Sequence, residues 1–126
     1  MNKITTPINE KYIDAQGILR ITVLEGAEIT LEKLKQDHQQ GLELTGGQKC
    51  LALVDTRNSF SITTEARAYM KEDIVDPTRI ATAVVSNNTV SRLIVNLFMK
   101  LNPPATPFKM FGDEKEATEW LLKQAK

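Results

Sequence analysis

The stretch Lys49-Cys50-Leu51-Ala52-Leu53-Val54-Asp55-Thr56-Arg57-Asn58-Ser59-Phe60-Ser61-Ile62-Thr63-Thr64-Glu65 decides how this chain is read. Lys49 to Asp55 is an apolar run of strand length, as expected of a central strand covered on both faces. At Asp55 the run gives way to a hydroxyl-rich loop, and the loop opens a helix. A strand, a polar bend and a helix in that order make a unit of an open α/β sheet, and the rest of the chain repeats it.

Upstream, Tyr12 to Leu24 reads as two extended segments around Ala15-Gln16-Gly17, with Leu19, Ile21 and Val23 on one face and Arg20 and Thr22 on the other. This predicts an antiparallel hairpin. Gly26 ends it, Thr30 is the N-cap of a first helix with Glu32 in its first turn, and Ile29 is placed to pack on Leu34 as a hydrophobic staple. The apolar stripe of that helix runs Leu31, Leu34, Leu42 with His38 on the same face. Gly41 weakens its last turns, and Gly46-Gly47 stops it.

Downstream, the second helix places Ala66, Tyr69, Met70 and Ile74 on one face and ends at Asp76-Pro77, because a residue before proline is pushed out of the helical region. Arg79 to Ser86 is a second buried strand, whose alanines let a helix approach closely. Asn87-Asn88 caps a third helix, about Thr89 to Leu101, with Val90, Leu93, Ile94, Leu97, Phe98 and Leu101 on its apolar face. Val95 and Met99 widen that arc. An arc so wide is read either as a subunit contact, giving a homodimer through Val90 to Leu101, or as deeper burial within one chain. The prolines at 103, 104 and 107 place Phe108 to Phe111 near a sheet edge. Asp113 and Glu116 form a capping box, and Ala117, Trp120 and Leu121 dock a closing helix. The expected order is two strands, three helix-and-strand repeats and a last helix, in one domain over residues 1–126.

Sixteen Lys plus Arg balance sixteen Asp plus Glu, and no like-charge block reaches five residues. Such a chain carries no electrostatic footprint for nucleic acid or an anionic membrane, and points to protein or small-molecule partners. Cys50 is the only cysteine, which excludes an internal disulfide and suits a reducing, cytoplasmic setting. No signal peptide and no apolar run of about 20 residues is present, so a soluble protein without a membrane span is expected.

Parallel crossovers of one hand bring the loops after Asp55 and Ser86 to the carboxyl edge of the sheet, the usual ligand position in this class. The loop from Asp55 to Thr64 holds five hydroxyls, the cation Arg57 and a helix N-terminus, a composition that suits an anion or a phosphorylated side chain. Ser61, Thr63 and Thr64 are the candidate acceptors. The simpler reading makes Ser61 or Thr63 an ordinary N-cap. Asp55, Ser59, Tyr69, Met70, Asn87, Val95, Phe98 and Met99 are the candidate partner or ligand surface. His38 reads as a half-buried packing residue and Cys50 as a small buried hydrophobe, since neither has a sequence neighbour that would make a metal site or an activated nucleophile. No catalytic, cofactor or metal set is expected, and no enzyme. Asp55, Ser86 and Lys109 sit as in receiver domains, but the acidic pair that holds magnesium there is missing.

The element order, the segment ALVDTRNSFSITTEA, and the ending Thr106-Pro107-Phe108-Lys109-Met110-Phe111 with Asp113-Glu114, Ala117 and Trp120-Leu121 resemble the SpoIIAA-like, or STAS-like, superfamily. More narrowly, they are similar to small bacterial STAS/Sec14 domain-containing proteins of unknown role. The resemblance implies a sheet of four to five strands, mostly parallel with an N-terminal antiparallel hairpin, flanked by four helices. It implies regulatory protein binding of the anti-sigma-factor-antagonist kind. The alternative is a small apolar ligand, such as the lipid carried by proteins of related architecture, held by Phe98, Met99 and Phe108. Antagonists of that superfamily are phosphorylated on a serine at the start of the helix after the third strand. Matching Ser59-Phe60 to the family's serine and phenylalanine puts Thr64 at that place, with Ile62 and Glu65 where the family has aspartate and glycine.

Overall fold

The hairpin sets the register of the sheet. In the computed structural model, which describes residues 3–74 (70–74 as backbone only), 79–89, 92–93, 96 and 106–125, β2 (Asn9–Ile13) pairs antiparallel with β3 (Ile18–Val23). Asp14 closes the turn between them. Its carboxylate accepts the N–H of Gln16 at 2.8 Å and of Ile18 at 3.0 Å, and Gly17 supplies the φ of +80° that a side chain would disfavour. A further strand, β1 (Lys3–Thr5), pairs antiparallel with β2. Thr6 makes that turn by accepting the N–H groups of Ile8 and Asn9 on its hydroxyl.

β5 (Cys50–Asp55), β7 (Arg79–Val85) and β8 (Phe108–Phe111) then join β3 in parallel, giving the order β1-β2-β3-β5-β7-β8. The sheet thus has six strands where four to five were expected. β1 spans three residues, too few for a period of two to register in sequence. A second departure lies in the loop after Asp55. There β6 (Phe60–Ile62) pairs in parallel with β4 (Ala27–Ile29), so the two short segments form a sheet of their own.

Three helices have bounds among the described residues, against four expected: α1 (Leu31–Thr45), α2 (Thr64–Ile74) and α3 (Glu114–Gln124). Thr30 caps α1 by accepting the N–H of Lys33, and Gly46 ends it in the left-handed conformation. Ile29 and Leu34 share one buried cluster, as the expected staple requires. Asp113 caps α3 by accepting the N–H of Lys115 at 2.7 Å. Of the expected third helix, Thr89, Arg92, Leu93 and Asn96 are helical, and the Arg92 N–H donates to the Asn88 carbonyl. Val95, Phe98 and Met99, and with them most of the expected dimer face from Val90 to Leu101, lie outside the described residues. Leu93, on the expected apolar arc, is 64% exposed.

The strands alternate their side chains between two faces. Leu51, Leu53, Ala81, Ala83 and Val85 point toward α3 and pack on Ala117 and Leu121. The fully buried alanines leave room for the helix backbone to sit close, and Trp120 meets Phe111 beside them with the rings tilted at 52° and their centroids 5.7 Å apart. On the other face Leu19, Ile21 and Ala52 form one cluster, and Val23, Ile29, Leu34 and Ala66 belong to another, under α1 and α2. Cys50, expected buried, is half-buried at the start of β5, where the pairing with β7 slips by a residue.

The buried side of α1 is not the leucine stripe expected. Leu42 is 39% exposed, while Asp37 is buried. Asp37 lies 2.9 Å from the ammonium of Lys11 on β2, with side-chain exposures of 12% and 4%. Gly41 stands close to the ammonium: a Cβ there would lie 3.2 Å from Lys11 Nζ, closer than side chains ordinarily pack. The helix therefore turns Leu34, Asp37 and Gly41 inward, and one charge is buried because another sits beneath it.

Candidate functional site

Asp55 pairs with Val85, so β5 and β7 end at one edge. The loops that leave them are stitched together there. Thr56 donates both its N–H and its hydroxyl to the Val85 carbonyl, at 2.9 and 2.8 Å, and the Ser86 N–H donates to Phe111 at 2.9 Å. The expected convergence of the loops after Asp55 and Ser86 on the carboxyl edge is what the structure has.

Within that edge Arg57 is held in a lattice of charge. Its guanidinium donates to Asp55 Oδ1 at 2.9 Å and Oδ2 at 2.7 Å, and to Glu114 Oε2 at 3.3 Å. The other Glu114 oxygen takes Arg20, which also donates to Asp14 Oδ2 at 2.7 Å and to the Thr118 hydroxyl at 3.3 Å. A chain of five alternating charges, Asp14, Arg20, Glu114, Arg57 and Asp55, thus runs along the face that carries α3. Burial pushes the Asp55 carboxyl up, but hydrogen bonds and charge from Arg57 outweigh it and hold the group below the usual range. Asp14 is held low in the same way, by Arg20 and the turn amides against burial. The hydrogen bond to Asp55 in turn holds Arg57 above the usual arginine range. An incoming anion at Arg57 has to compete with two carboxylates.

The other sequence-derived positions separate into two groups. Thr63 is used internally: its hydroxyl accepts the Ala66 N–H at 3.2 Å, as an N-cap does. Tyr69 is half-buried against the cluster that includes Leu34 and Ala66. Ser59, Ser61, Thr64 and Asn87 are exposed on the carboxyl edge or just beyond it. The Ser59 N–H donates to Glu25 Oε2, and Asn58 donates to the Val23 carbonyl, which pins the loop to the end of β3. Met70 lies in α2, with its backbone alone described. Among the described residues no three His, Cys, Asp or Glu side chains form a metal-holding group, and no helix is long and apolar enough to cross a membrane.

Sequence reasoning missed the chain through Glu114 and Arg20 that joins this edge to the opposite turn at Asp14. The outward parity of Arg20 on β3 was legible; its meeting with a residue 94 positions away was not.

With the edge described, the chain can be set beside known proteins. A family model described as "Domain of unknown function (DUF7793)" matches residues 12–125. The chain belongs to the DUF7793 family. The match begins within β2 and ends at Ala125, so the paired loops and the charge chain lie within the DUF7793 domain. No curated protein matches the chain. Among solved structures it is similar to an uncharacterised DUF3478-family protein with a SpoIIAA-like fold from Shewanella loihica PV-4. The two share 15% identity over 96% of this chain and 98% of that one, with a TM-score of 0.65. This DUF7793 chain therefore has a SpoIIAA-like fold. A protein of unknown function from Arthrobacter sp. FB24 aligns at 25% identity over 89% of this chain and 97% of that one, with a TM-score of 0.34.

Proposed function

We propose that the chain is a non-catalytic cytoplasmic regulatory domain that binds a protein partner through its carboxyl edge. The observation that carries this reading is the open start of α2: Ser61, Thr64 and Glu65 are exposed there, on the edge that also bears Asn87, and the helical stretch that follows Asn87 exposes the apolar side chain of Leu93. Hydrogen-bonding groups around an apolar contact are the materials of a protein interface. The rigid charge chain behind them supports this role, because a surface held in one shape loses little entropy on docking.

Thr64 is the residue through which such a surface would be switched. It is exposed and opens the helix, so a phosphate on it sits at the positive end of the helix dipole, while Glu65 opposes it in charge. A photo-crosslinking residue at Ser61 tests the docking reading in cells, with the same residue at Gln16 in the opposite turn as control. One discrete protein adduct from Ser61 and none from Gln16 is expected; equal labelling at both removes the carboxyl edge from consideration. Thr64→Glu is expected to lower the yield of the Ser61 adduct, and chain isolated from cells without phosphate on Thr64 counts against the switch.

A further inference from the structure

Between α1 and the sheet lies a cavity of about 140 Å³. Its wall is apolar over Leu19, Ile21, Val23, Leu34 and Val54, and Lys11 and Asp37 also line it. Thr45 and Arg79, the last residue of α1 and the first of β7, mark its end toward the amino edge. An apolar cavity of roughly 150 Å³ takes one benzene. The space therefore suits a single ring or a branched alkyl group, and falls short of an acyl chain.

The charged pair on its wall has bonding capacity to spare. Asp37 Oδ1 is buried and lies 2.9 Å from Lys11 Nζ, and no other donor reaches it among the described residues. The ammonium also donates to the Asp37 backbone carbonyl, at a long 3.4 Å. An ammonium has three donors and a carboxylate oxygen two lone pairs, so the pair offers both a donor and an acceptor. Leaving such groups unmatched in a low dielectric costs free energy that a complementary head group would recover.

We propose that this cavity binds a small neutral molecule with a benzene-sized apolar body and one carboxamide or hydroxyl head. The head donates to Asp37 Oδ1 and accepts from Lys11 Nζ, while the body fills the space among Leu19, Ile21, Leu34 and Val54. Neutrality follows from the pair on which the head docks: its charges cancel, so a charged head would be repelled by one partner as it is drawn to the other, while Arg79 stands at the amino-edge end. Gly41 has a part in this site, since a Cβ at that position would crowd the ammonium. The site lies on the α1 face, apart in space from the proposed carboxyl-edge surface.

Benzamide titrated into the full chain, followed by two-dimensional amide NMR, tests the proposal, with toluene and benzoate as companion probes. Saturable shifts centred on Leu34 to Gly41 and on Ile21 are expected. Benzamide should bind about tenfold or more tightly than toluene, the worth of one matched buried polar head. Benzoate should be weaker than benzamide. The double variant Lys11→Met with Asp37→Leu is expected to lose the preference for benzamide over toluene while keeping the native amide spectrum elsewhere. Benzamide that shifts no amide at millimolar concentration, toluene or benzoate that binds as well as benzamide, or shifts confined to residues 59–65 would each overturn the proposal.

Discussion

Lys11 and Arg20 sit on neighbouring strands of one hairpin and point to opposite faces of the sheet, and their surroundings could hardly differ more. Lys11 has a single carboxylate, Asp37, in a place water scarcely reaches. Arg20 has Asp14, Glu114 and Thr118, and Glu114 is open to solvent over nearly half its side chain. Where water can replace a lost partner, a charge network degrades gently; where it cannot, one pair carries the full cost of desolvation. The α1 face is therefore brittle and selective, and the α3 face tolerant.

The largest effect expected from this contrast is that of Asp37→Ala, which strands the Lys11 ammonium. It should cost about 3–5 kcal/mol in urea unfolding. Replacing both residues, Lys11→Met with Asp37→Leu, should stay within about 1 kcal/mol of the parent or exceed it, because no buried charge remains. Equal losses in the single and double variants would break the comparison.

Arg20→Lys comes next, at about 1–2 kcal/mol, since a lysine cannot reproduce the fork that reaches Asp14 and Glu114 at once. The same network should appear in acid. Asp14 and Asp55 are held more acidic in the folded chain than when unfolded. Below the ordinary aspartate value of about 3.9 the unfolded chain therefore binds more protons, and stability falls as pH drops through the folded values. Asp14→Asn should flatten that fall in urea midpoints measured across the acid range.

The smallest effect is the most discriminating. Gly41→Ala in an open helix position would stabilise by up to about 1 kcal/mol. Here crowding against Lys11 should bring the change near zero, and in the Lys11→Met background the gain should return. An equal gain in both backgrounds would show that Gly41 does not make room for the ammonium.

Much of the fold could be read from residues because local signals agreed with one another. The hairpin, the cap at Thr30, the left-handed stop at Gly46, the alanines of β7 and the edge position of β8 each had a physical cause within a few positions of itself. What escaped were features whose cause lies far along the chain. Asp37 and Gly41 look like flaws in an apolar stripe until Lys11 is placed beneath them. The parity of the hairpin could have placed it, since Lys11 faces Ile21 across the ladder and must point inward with it. β6 hid among hydroxyls, although Phe60 and Ile62 alternate as a strand should. At the carboxyl edge the convergence of loops was legible from topology, but that Glu114 shares Arg57 with Asp55 was not, because Glu114 comes from the start of α3.

The short parallel pair of β4 and β6 has a mechanical consequence. β4 delivers the chain to the head of α1, β6 delivers it to the head of α2, and hydrogen bonds from Gly26 to Ser59 and from Thr63 to Ile29 flank the pairing. The two helices are thus yoked at their heads, so that tilting one pulls on the other. A protein gripping the edge and a molecule lodged under α1 would load the same yoke, and each would change the hold of the other by an equal free energy.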